Sequence, residues 1–254
     1  MAKILGIETS CDDTALAIID NGKIHARLSA SLDISTYGGV VPEYSSRMHE
    51  RNLPLLMDRL SLTFPLSTLD AIGVTAGPGL LGSLLVGTTF AKALAYQWSV
   101  PCWPVHHLDA HGLVIRQQQN IPFPYLLLLV SGGHSQWCWF QDFGQRYILG
   151  QTLDDALGEC FDKVARTLDL SGGAALEKHA RLGQEDTYEL PRPLCRQRGC
   201  DFSFSGLKTA TLRLIEQENI QPHSVKSHHL AASFQKTVAA IMAQRFHNAL
   251  CLAP

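Results

Sequence analysis

Two apolar strands and a tight turn can be traced along Lys3-Ile-Leu-Gly-Ile-Glu-Thr-Ser-Cys-Asp-Asp-Thr-Ala-Leu-Ala-Ile-Ile-Asp-Asn-Gly-Lys23. The first strand is predicted over 3–9 and the second over 15–20, with a polar loop between them. Asn21 and Gly22 are residue types that tolerate the positive φ angles of a type I′ hairpin turn. A third strand is predicted over 24–30, so the chain should begin with a three-stranded antiparallel sheet.

The same order of elements returns in the second half of the chain. Three strands, with a glycine loop after the first, are predicted over 125–130, 136–140 and 147–152. Two helices and a buried strand are predicted between the copies, over 42–60, 83–96 and 69–75. A duplicated βββαβα unit resembles the actin-like class, which includes heat-shock chaperones and sugar kinases. We therefore expect an α/β fold with one actin-like lobe over 1–105 and a second, incomplete lobe over 106–254.

The first predicted helix, over 42–60, is expected to be amphipathic. His49, Glu50 and Arg51 are expected on its polar face.

Composition limits the classes of function. The chain has 254 residues, of which 46% are apolar, and a formal net charge of −2. Such a protein has no global field that attracts polyanions, so nucleic-acid binding would need a local basic patch or a partner. Seven cysteines without a CxxC spacing indicate reduced thiols and a cytoplasmic location. No apolar run reaches the roughly 20 residues of a membrane span, and the start lacks the shape of a signal peptide.

Two histidines, His107 and His111, lie four residues apart after an apolar segment that contains proline. On a helix, residues i and i+4 share a face, so both imidazoles can reach one point. Imidazole is a common ligand of protein-bound zinc and iron. The pair is a candidate metal site, although the spacing can also arise by chance among 11 histidines.

Three polar or glycine-rich loops follow strand ends. Residues 8–14 offer hydroxyls and carboxylates, which either bind phosphate or cap their own backbone. Residues 75–83 form a glycine-rich turn before a helix, which suits an anion or tight packing. At 130–135 two glycines either let a ligand approach the backbone, with Ser131 and His134 as polar contacts, or form a plain hairpin.

Residues 154–163 predict the start of a helix. On that helix Asp155, Glu159 and Asp162 would share one face, at spacings of four and three. Like charges so close together indicate either a functional cleft or a solvated surface.

Residues 200–210 alternate apolar and polar side chains before turning into a helix. The segment predicts an edge strand with Phe202 and Phe204 inward, or a segment whose serines and Lys208 contact phosphate.

Six motifs, in the same order, resemble those of the TsaD/Gcp family of tRNA N6-adenosine threonylcarbamoyltransferases. They are Gly6-Ile-Glu-Thr-Ser-Cys-Asp-Asp-Thr-Ala15, Gly77-Pro-Gly79, His106-His-Leu-Asp-Ala-His111, Leu129-Val-Ser-Gly-Gly-His134, Leu153-Asp-Asp-Ala156 with Phe161-Asp-Lys163, and Asp201-Phe-Ser-Phe-Ser-Gly-Leu-Lys208. The resemblance covers residues 3 to about 240 and is closest to the bacterial and organellar branch.

The resemblance implies a transfer reaction. Enzymes of this family move the threonylcarbamoyl group of threonylcarbamoyl-AMP to N6 of adenosine 37 in tRNAs that read codons beginning with A. The exocyclic amine attacks the carbamoyl carbon and AMP leaves. The implied partners are threonylcarbamoyl-AMP, tRNA and TsaB-like and TsaE-like proteins, with no membrane.

The resemblance also implies roles for particular residues. His107 and His111 correspond to the ligands of one divalent metal, Fe(II) or alternatively Zn(II). The positions that hold the adenylate correspond to Leu129, Val130, Ser131, Gly132, Gly133, His134, Asp162 and Gly173, with Glu177 as a weaker candidate. No residue of the chain is assigned as the catalytic acid or base.

Two departures from the family pattern qualify these roles. The family's Gly-Tyr-Pro-Gly-Gly-Pro loop is replaced by Ser171-Gly-Gly-Ala-Ala175, which lacks both prolines and their fixed φ angles. The chain also stops at Pro254, before the family's later aspartate, the third metal ligand, whereas catalytic zinc sites typically have three protein ligands and water. Such a truncation should leave the apolar helix over 231–250 exposed.

Alternative functions follow from the same departures. A truncated, non-catalytic protein could keep the first lobe to bind a TsaB-like partner. A metalloprotease is disfavoured because HxxxH lacks the glutamate that serves as general base in HExxH. A sugar or acetate kinase is disfavoured because no separate kinase motif is visible.

Overall fold

The computed structural model describes residues 2–31 and 40–253, which divide into two compact units. The first unit spans Met1–Asn120 and the second Ile121–Pro254. The boundary expected between 105 and 106 lies earlier along the chain than this division. The reason is that the helix His107–Gln118 packs on strands of the first unit.

The described part of the first unit contains one mixed sheet, three α-helices and a short 3-10 helix, Leu66–Thr68. Its strands are β1 (Lys3–Glu8), β2 (Asp13–Asp20), β3 (Lys23–Ser31), β4 (Ala71–Gly77) and β5 (Cys102–His106). Its helices are α1 (Pro42–Ser61), α2 (Leu81–Trp98) and α3 (His107–Gln118). The strand order is β3-β2-β1-β4-β5, and β1, β4 and β5 run parallel. Their carboxyl ends therefore meet at one edge of the sheet, where ligands bind in open α/β folds.

The hairpin between β2 and β3 confirms the turn expected from its residue types. Asn21 has φ of 52° and Gly22 has φ of 77°, as a type I′ turn requires. The helices and the buried strand expected over 42–60, 83–96 and 69–75 are also present, with ends shifted by a few residues.

The core of the first unit lies between the sheet and the helices α1 and α2. Leu5, Ile18 and Leu60 are fully buried there. The expectation that His49 lies on a polar face is wrong, because this side chain is also fully buried. Its Nε2 donates to the carbonyl oxygen of Cys11 at 3.0 Å, and its Nδ1 accepts from the Thr14 hydroxyl at 2.8 Å.

The second unit is a three-stranded antiparallel sheet followed by four helices. The strands β6 (Tyr125–Val130), β7 (Ser135–Asp142) and β8 (Gln145–Gln151) are ordered β6-β7-β8. The helices are α4 (Leu157–Thr167), α5 (Gly173–Ala180), α6 (Ser205–Gln217) and α7 (Val225–Leu252). Within 121–253 no further strand corresponds to β4 or β5, so the second actin-like lobe is incomplete, as expected from the sequence.

Helix α7 forms much of the second core. Leu230, Phe234, Val238 and Ile241 are all buried, and α7 packs on α5. The expectation that the helix over 231–250 would be exposed is therefore wrong. None of the described helices is both long enough and apolar enough to cross a lipid bilayer.

Two local expectations for the second unit are also corrected. Helix α4 begins at Leu157, so Asp155 precedes the helix and does not share a helical face with Glu159. No edge strand forms after Cys200; only a single bridge joins Phe202 to Thr152. Phe202 is nevertheless fully buried, as the alternating pattern predicted.

Candidate active site

The structure brings His107 and His111 together at the start of α3. The helix begins directly after β5, so His107 lies at the edge where the parallel strands end. One helical turn separates the two side chains, and their Nε2 atoms are 3.2 Å apart. The two rings are almost perpendicular, at 89°. Two imidazole nitrogens therefore converge on one point, as the HxxxH spacing suggested.

Glu8 at the end of β1 contacts the first of these histidines. Its Oε2 lies 3.1 Å from His107 Nδ1 and accepts a hydrogen bond from the Thr75 hydroxyl at 2.6 Å. Its Oε1 accepts from the backbone N–H of Ser10. The Ser10 hydroxyl is also 3.1 Å from His107 Nδ1. Side chains from three neighbouring strand ends thus form one hydrogen-bonded group.

These hydrogen bonds keep Glu8 ionised. Burial by itself raises the pKa of the carboxyl group, but the bonds from His107, Ser10 and Thr75 outweigh it and lower the pKa from 4.5 to about 2. The histidine pair therefore has a fixed negative charge beside it at neutral pH.

The pair fits a metal ion as two of its ligands. With metal–nitrogen bonds of roughly 2.0–2.1 Å, two nitrogens bound at angles of about 90–109° lie roughly 2.8–3.4 Å apart. The observed Nε2 separation of 3.2 Å falls within that range. Among the described residues, no group of three or more histidine, cysteine, aspartate or glutamate side chains is arranged to hold a metal. The described part of the chain thus brings two imidazole nitrogens together without a third candidate ligand beside them.

The loops at 8–14 and 75–83 pack on each other. A Cβ atom on Gly79 would lie 2.5 Å from the Ser10 carbonyl oxygen, and Leu80 N–H donates to that oxygen at 2.8 Å. The Thr9 hydroxyl donates to the carbonyl oxygen of Ser83 at 2.9 Å. These contacts support close packing of the two loops, and a local hydrogen bond runs from Ser10 N–H to the Glu8 carboxylate.

The second unit presents an open loop between β6 and β7. Ser131 N–H donates to the His134 carbonyl oxygen at 2.8 Å, and His134 N–H donates to the Ser131 hydroxyl at 3.0 Å. A Cβ atom on Gly132 or Gly133 would meet no other atom within 4 Å. A ligand can therefore come close to the backbone of this loop. The side chain of Leu129 is buried, so this residue can offer only its backbone to a ligand.

The same loop rests on the N-terminus of α4. Leu157 N–H donates to the Ser135 hydroxyl at 2.8 Å. A Cβ atom on Gly158 would lie 2.7 Å from the Ser131 carbonyl oxygen. The positive end of the helix dipole is thereby placed beneath the loop, which favours a bound anion.

Asp162 and Gly173 lie together, whereas Glu177 has a different partner. Asp162 Oδ1 accepts a hydrogen bond from Gly173 N–H at 2.8 Å, at the start of α5. The Glu177 carboxylate pairs with Arg181 at 2.6 Å, and both side chains are exposed. This ion pair makes Glu177 the weakest of the candidate positions.

Two carboxylates follow the end of β8; Asp155 was among the residues predicted to share a helical face, but the hydrogen-bonding role of Asp154 was not predicted. Asp154 accepts hydrogen bonds from the hydroxyls of Ser203 and Ser205, at 2.6 and 2.7 Å. Its neighbour Asp155 pairs with Lys163 at 3.2 Å and with Lys208. The alternation of apolar and polar residues after Cys200 indicated a strand. Only the repeated serine at 203 and 205, where α6 begins, could have indicated hydrogen-bond donors for a carboxylate.

Comparison with known proteins gives one consistent result. The family model described as TsaD, tRNA N6-adenosine threonylcarbamoyltransferase, matches residues 23–253. The tRNA N6-adenosine threonylcarbamoyltransferase of Anaplasma phagocytophilum is 47% identical over 253 residues, which are 97% of this chain and 74% of that protein. The protein of the same name from Gluconobacter oxydans is also 47% identical, over 99% of this chain and 73% of its own length.

A solved structure resembles the whole chain in fold. Component A of the (R)-2-hydroxyglutaryl-CoA dehydratase of Acidaminococcus fermentans matches with a TM-score of 0.50 and 12% identity. The match covers 100% of this chain and 80% of that one. At this identity the likeness concerns the fold alone, and it agrees with the actin-like α/β architecture.

Proposed function

Because the chain belongs to the family of tRNA N6-adenosine threonylcarbamoyltransferases, we propose that it moves the threonylcarbamoyl group of threonylcarbamoyl-AMP to N6 of adenosine 37, in tRNAs reading codons that begin with A. The N6 amine attacks the carbamoyl carbon, the bond from that carbon to the phosphate oxygen breaks, and AMP leaves. The N6 nitrogen gives up one proton. The family match over 23–253 carries this proposal.

His107 and His111 would hold the metal ion in this proposal. Their Nε2 separation of 3.2 Å supports a shared ion. Imidazole suits both Fe(II) and Zn(II), and we favour Fe(II). A metal bound there would supply Lewis acidity that polarises the adenylate. The two histidines would orient the ion, and the ionised carboxylate of Glu8 contacts His107 at Nδ1, the ring nitrogen away from His111.

The loop of Ser131, Gly132, Gly133 and His134 would bind the adenylate. Its open backbone and the N-terminus of α4 beneath it suit a phosphate group. Leu129 and Val130 would contribute through the strand that carries the loop.

Asp162 and Gly173 would lie against the ribose in the same proposal. Carboxylate oxygens suit ribose hydroxyls, and Asp162 is held in place by the hydrogen bond from Gly173 N–H. Glu177 stays a weaker candidate because it already pairs with Arg181.

The remaining partners are proposed from charge and family membership. With 21 basic and 23 acidic residues, the chain has no net attraction for tRNA. TsaB-like and TsaE-like proteins would therefore help to bind tRNA and complete the enzyme. A cytoplasmic location follows from this role and from the reduced state expected of the cysteines.

The first test measures metal content and transfer together. The wild type, the double variant His107→Ala/His111→Ala and the control His247→Ala are purified and assayed by elemental analysis. Each is then incubated with threonylcarbamoyl-AMP, tRNA and the two partner proteins. We expect stoichiometric metal and modified adenosine for the wild type and the control, because His247 is exposed on α7. The double variant should lose both. Metal-free wild type without transfer would contradict the proposal.

The alternative is a non-catalytic protein that binds a TsaB-like partner. The observation that favours it is that no third metal ligand joins the two histidines among the described residues. It predicts a stable complex with the partner, no bound metal and no transfer. Stoichiometric metal in the wild type would exclude it.

A further inference from the structure

We propose that Glu8 is a positioning residue for the histidine pair: it holds the His107 ring so that Nε2 faces the metal with a free lone pair. This inference rests on the proposed assignment of His107 and His111 as metal ligands. Glu8 itself does not bind the metal in this scheme. It acts through the ring of His107.

The carboxylate of Glu8 is itself held at both oxygens. Oε1 accepts from the backbone N–H of Ser10, and Oε2 accepts from the Thr75 hydroxyl at 2.6 Å. These bonds come from the loop after β1 and from β4, so the carboxylate cannot turn without breaking one of them. Glu8 Oε2, the acceptor that faces His107, is therefore held in place in the metal-free protein.

The contact with His107 decides which ring nitrogen carries the proton. Oε2 lies 3.1 Å from Nδ1, and an ionised carboxylate can only accept a hydrogen bond. The proton of the neutral ring must then be on Nδ1, which leaves a lone pair on Nε2. A carboxylate behind a metal-bound histidine fixes the tautomer and makes the ring a better ligand.

The second histidine completes the argument. His107 Nε2 lies 3.2 Å from His111 Nε2, so without metal the second ring donates its Nε2 proton to the first. A metal ion bound to both nitrogens would require the His111 ring proton to lie on Nδ1, so that each Nε2 offers a lone pair. The Ser10 hydroxyl near Nδ1 can donate or accept, so it does not oppose the proton position that Glu8 selects.

The sheet order makes this arrangement possible. Glu8 ends β1, Thr75 lies in β4, and His107 follows β5, and these strands are adjacent and parallel. Their ends meet at one edge although 99 residues separate Glu8 from His107. The carboxylate therefore reaches the histidine from the neighbouring strand ends.

The test uses Glu8→Gln, with zinc alone as the probe. Glutamine keeps the size of the side chain. Its NH₂ group replaces one carboxylate oxygen and cannot accept a hydrogen bond, so either Ser10 N–H or His107 Nδ1 loses its acceptor. We expect the Kd for Zn²⁺, measured by competition with a chelator, to rise by about 10- to 100-fold. The control Glu43→Gln changes an exposed glutamate on α1 and should leave the Kd unchanged. If Glu8→Gln fails to fold, Thr75→Val loosens the same carboxylate and should weaken zinc binding to a smaller extent.

A second measurement separates positioning from a general structural role. In the metal-free protein at neutral pH, the ¹⁵N chemical shifts of His107 report which nitrogen carries the proton. We expect a protonated Nδ1 in the wild type and a mixture of tautomers in Glu8→Gln, with unchanged circular dichroism. Equal zinc affinity and equal shifts in the two proteins would overturn the role of Glu8 while leaving the metal site intact. A wild type that binds no zinc would instead overturn the site itself and, with it, this inference.

Discussion

Gly158 is the second residue of α4 and lies against the Ser131–His134 loop. A Cβ atom there would be 2.7 Å from the Ser131 carbonyl oxygen and 3.0 Å from Gly132 Cα, both of them backbone atoms that cannot move aside separately. Gly206 is the second residue of α6, and its added Cβ would meet only Pro193 Cγ, at an ordinary 3.5 Å. The two glycines thus differ in their surroundings while sharing a position in their helices.

This difference predicts opposite effects of one substitution. Gly158→Ala should destabilise the protein by about 1–3 kcal/mol, because the backbone must shift to accept the methyl group. Gly206→Ala should be neutral or stabilise it by up to about 1 kcal/mol, since alanine favours helix. The free energies of unfolding of the wild type and both variants are measured by urea denaturation. Equal stabilities would show that the contact between α4 and the loop is looser than described.

Between elements, Asp154 joins the end of the second sheet to the start of α6. Its Oδ1 accepts from Phe204 N–H at 2.8 Å, and its Oδ2 accepts from the hydroxyls of Ser203 and Ser205. Burial raises the pKa of this carboxyl group, but the hydrogen bonds outweigh burial and lower the pKa overall. An ionised Asp154 therefore stabilises the first turn of α6, as an N-terminal cap does.

The depressed pKa sets the sign of a pH dependence. The folded state favours ionised Asp154, so its stabilisation is complete above the unfolded pKa of about 3.9 and is lost as pH falls through the lower folded value. We expect Asp154→Asn to lower stability by about 1 kcal/mol at pH 7, with the difference from wild type shrinking below about pH 4. Asp58→Asn, at an exposed position of α1, serves as the control. A difference that grows in acid would contradict the assignment.

At the scale of the whole molecule, the net charge predicts how tightly the chain binds tRNA. A net charge of −2 gives little counterion release, which supplies most of the non-specific affinity for nucleic acid. Alone, the chain should bind tRNA with a Kd no tighter than about 10 μM at physiological salt. Fluorescence anisotropy at several salt concentrations, with and without TsaB-like and TsaE-like proteins, measures this. Submicromolar binding by the chain alone, with steep salt dependence, would reveal a local basic patch.

Short-range patterns in the sequence predicted most of the elements. The Asn21-Gly22 turn, the strand after it and the helix predicted over 42–60 all depend on neighbouring residues, so their signals are local. The histidine pair belongs to the same category, because one helical turn brings i and i+4 together. The glycine loop after β6 was likewise expected, since it follows an apolar run directly.

Contacts between segments that lie far apart in the sequence could not be predicted from such short-range patterns. His49 was placed on a polar face because its neighbours are charged, but its imidazole bonds to Thr14 and Cys11 in the buried interior. The helix over 231–250 was expected to be exposed because the chain lacks the family's later strand and helices, but α7 packs on α5. Asp154 and Ser203 lie 49 residues apart and meet only after the second unit has folded.

The amino-acid order alone therefore predicted most of the strands, helices and turns and the histidine pair, since each depends on residues within a few positions, and its six ordered motifs indicated the family. The tertiary structure decided the rest. The order of the strands in the first sheet brings Glu8 and Thr75 to His107. In the second unit, the position of α7 allows the buried Arg245 to donate to the carbonyl oxygens of Gln197 and Gly199. A hydrogen bond between distant residues depends on where two segments come to lie, and that position is set by the packing of the whole core.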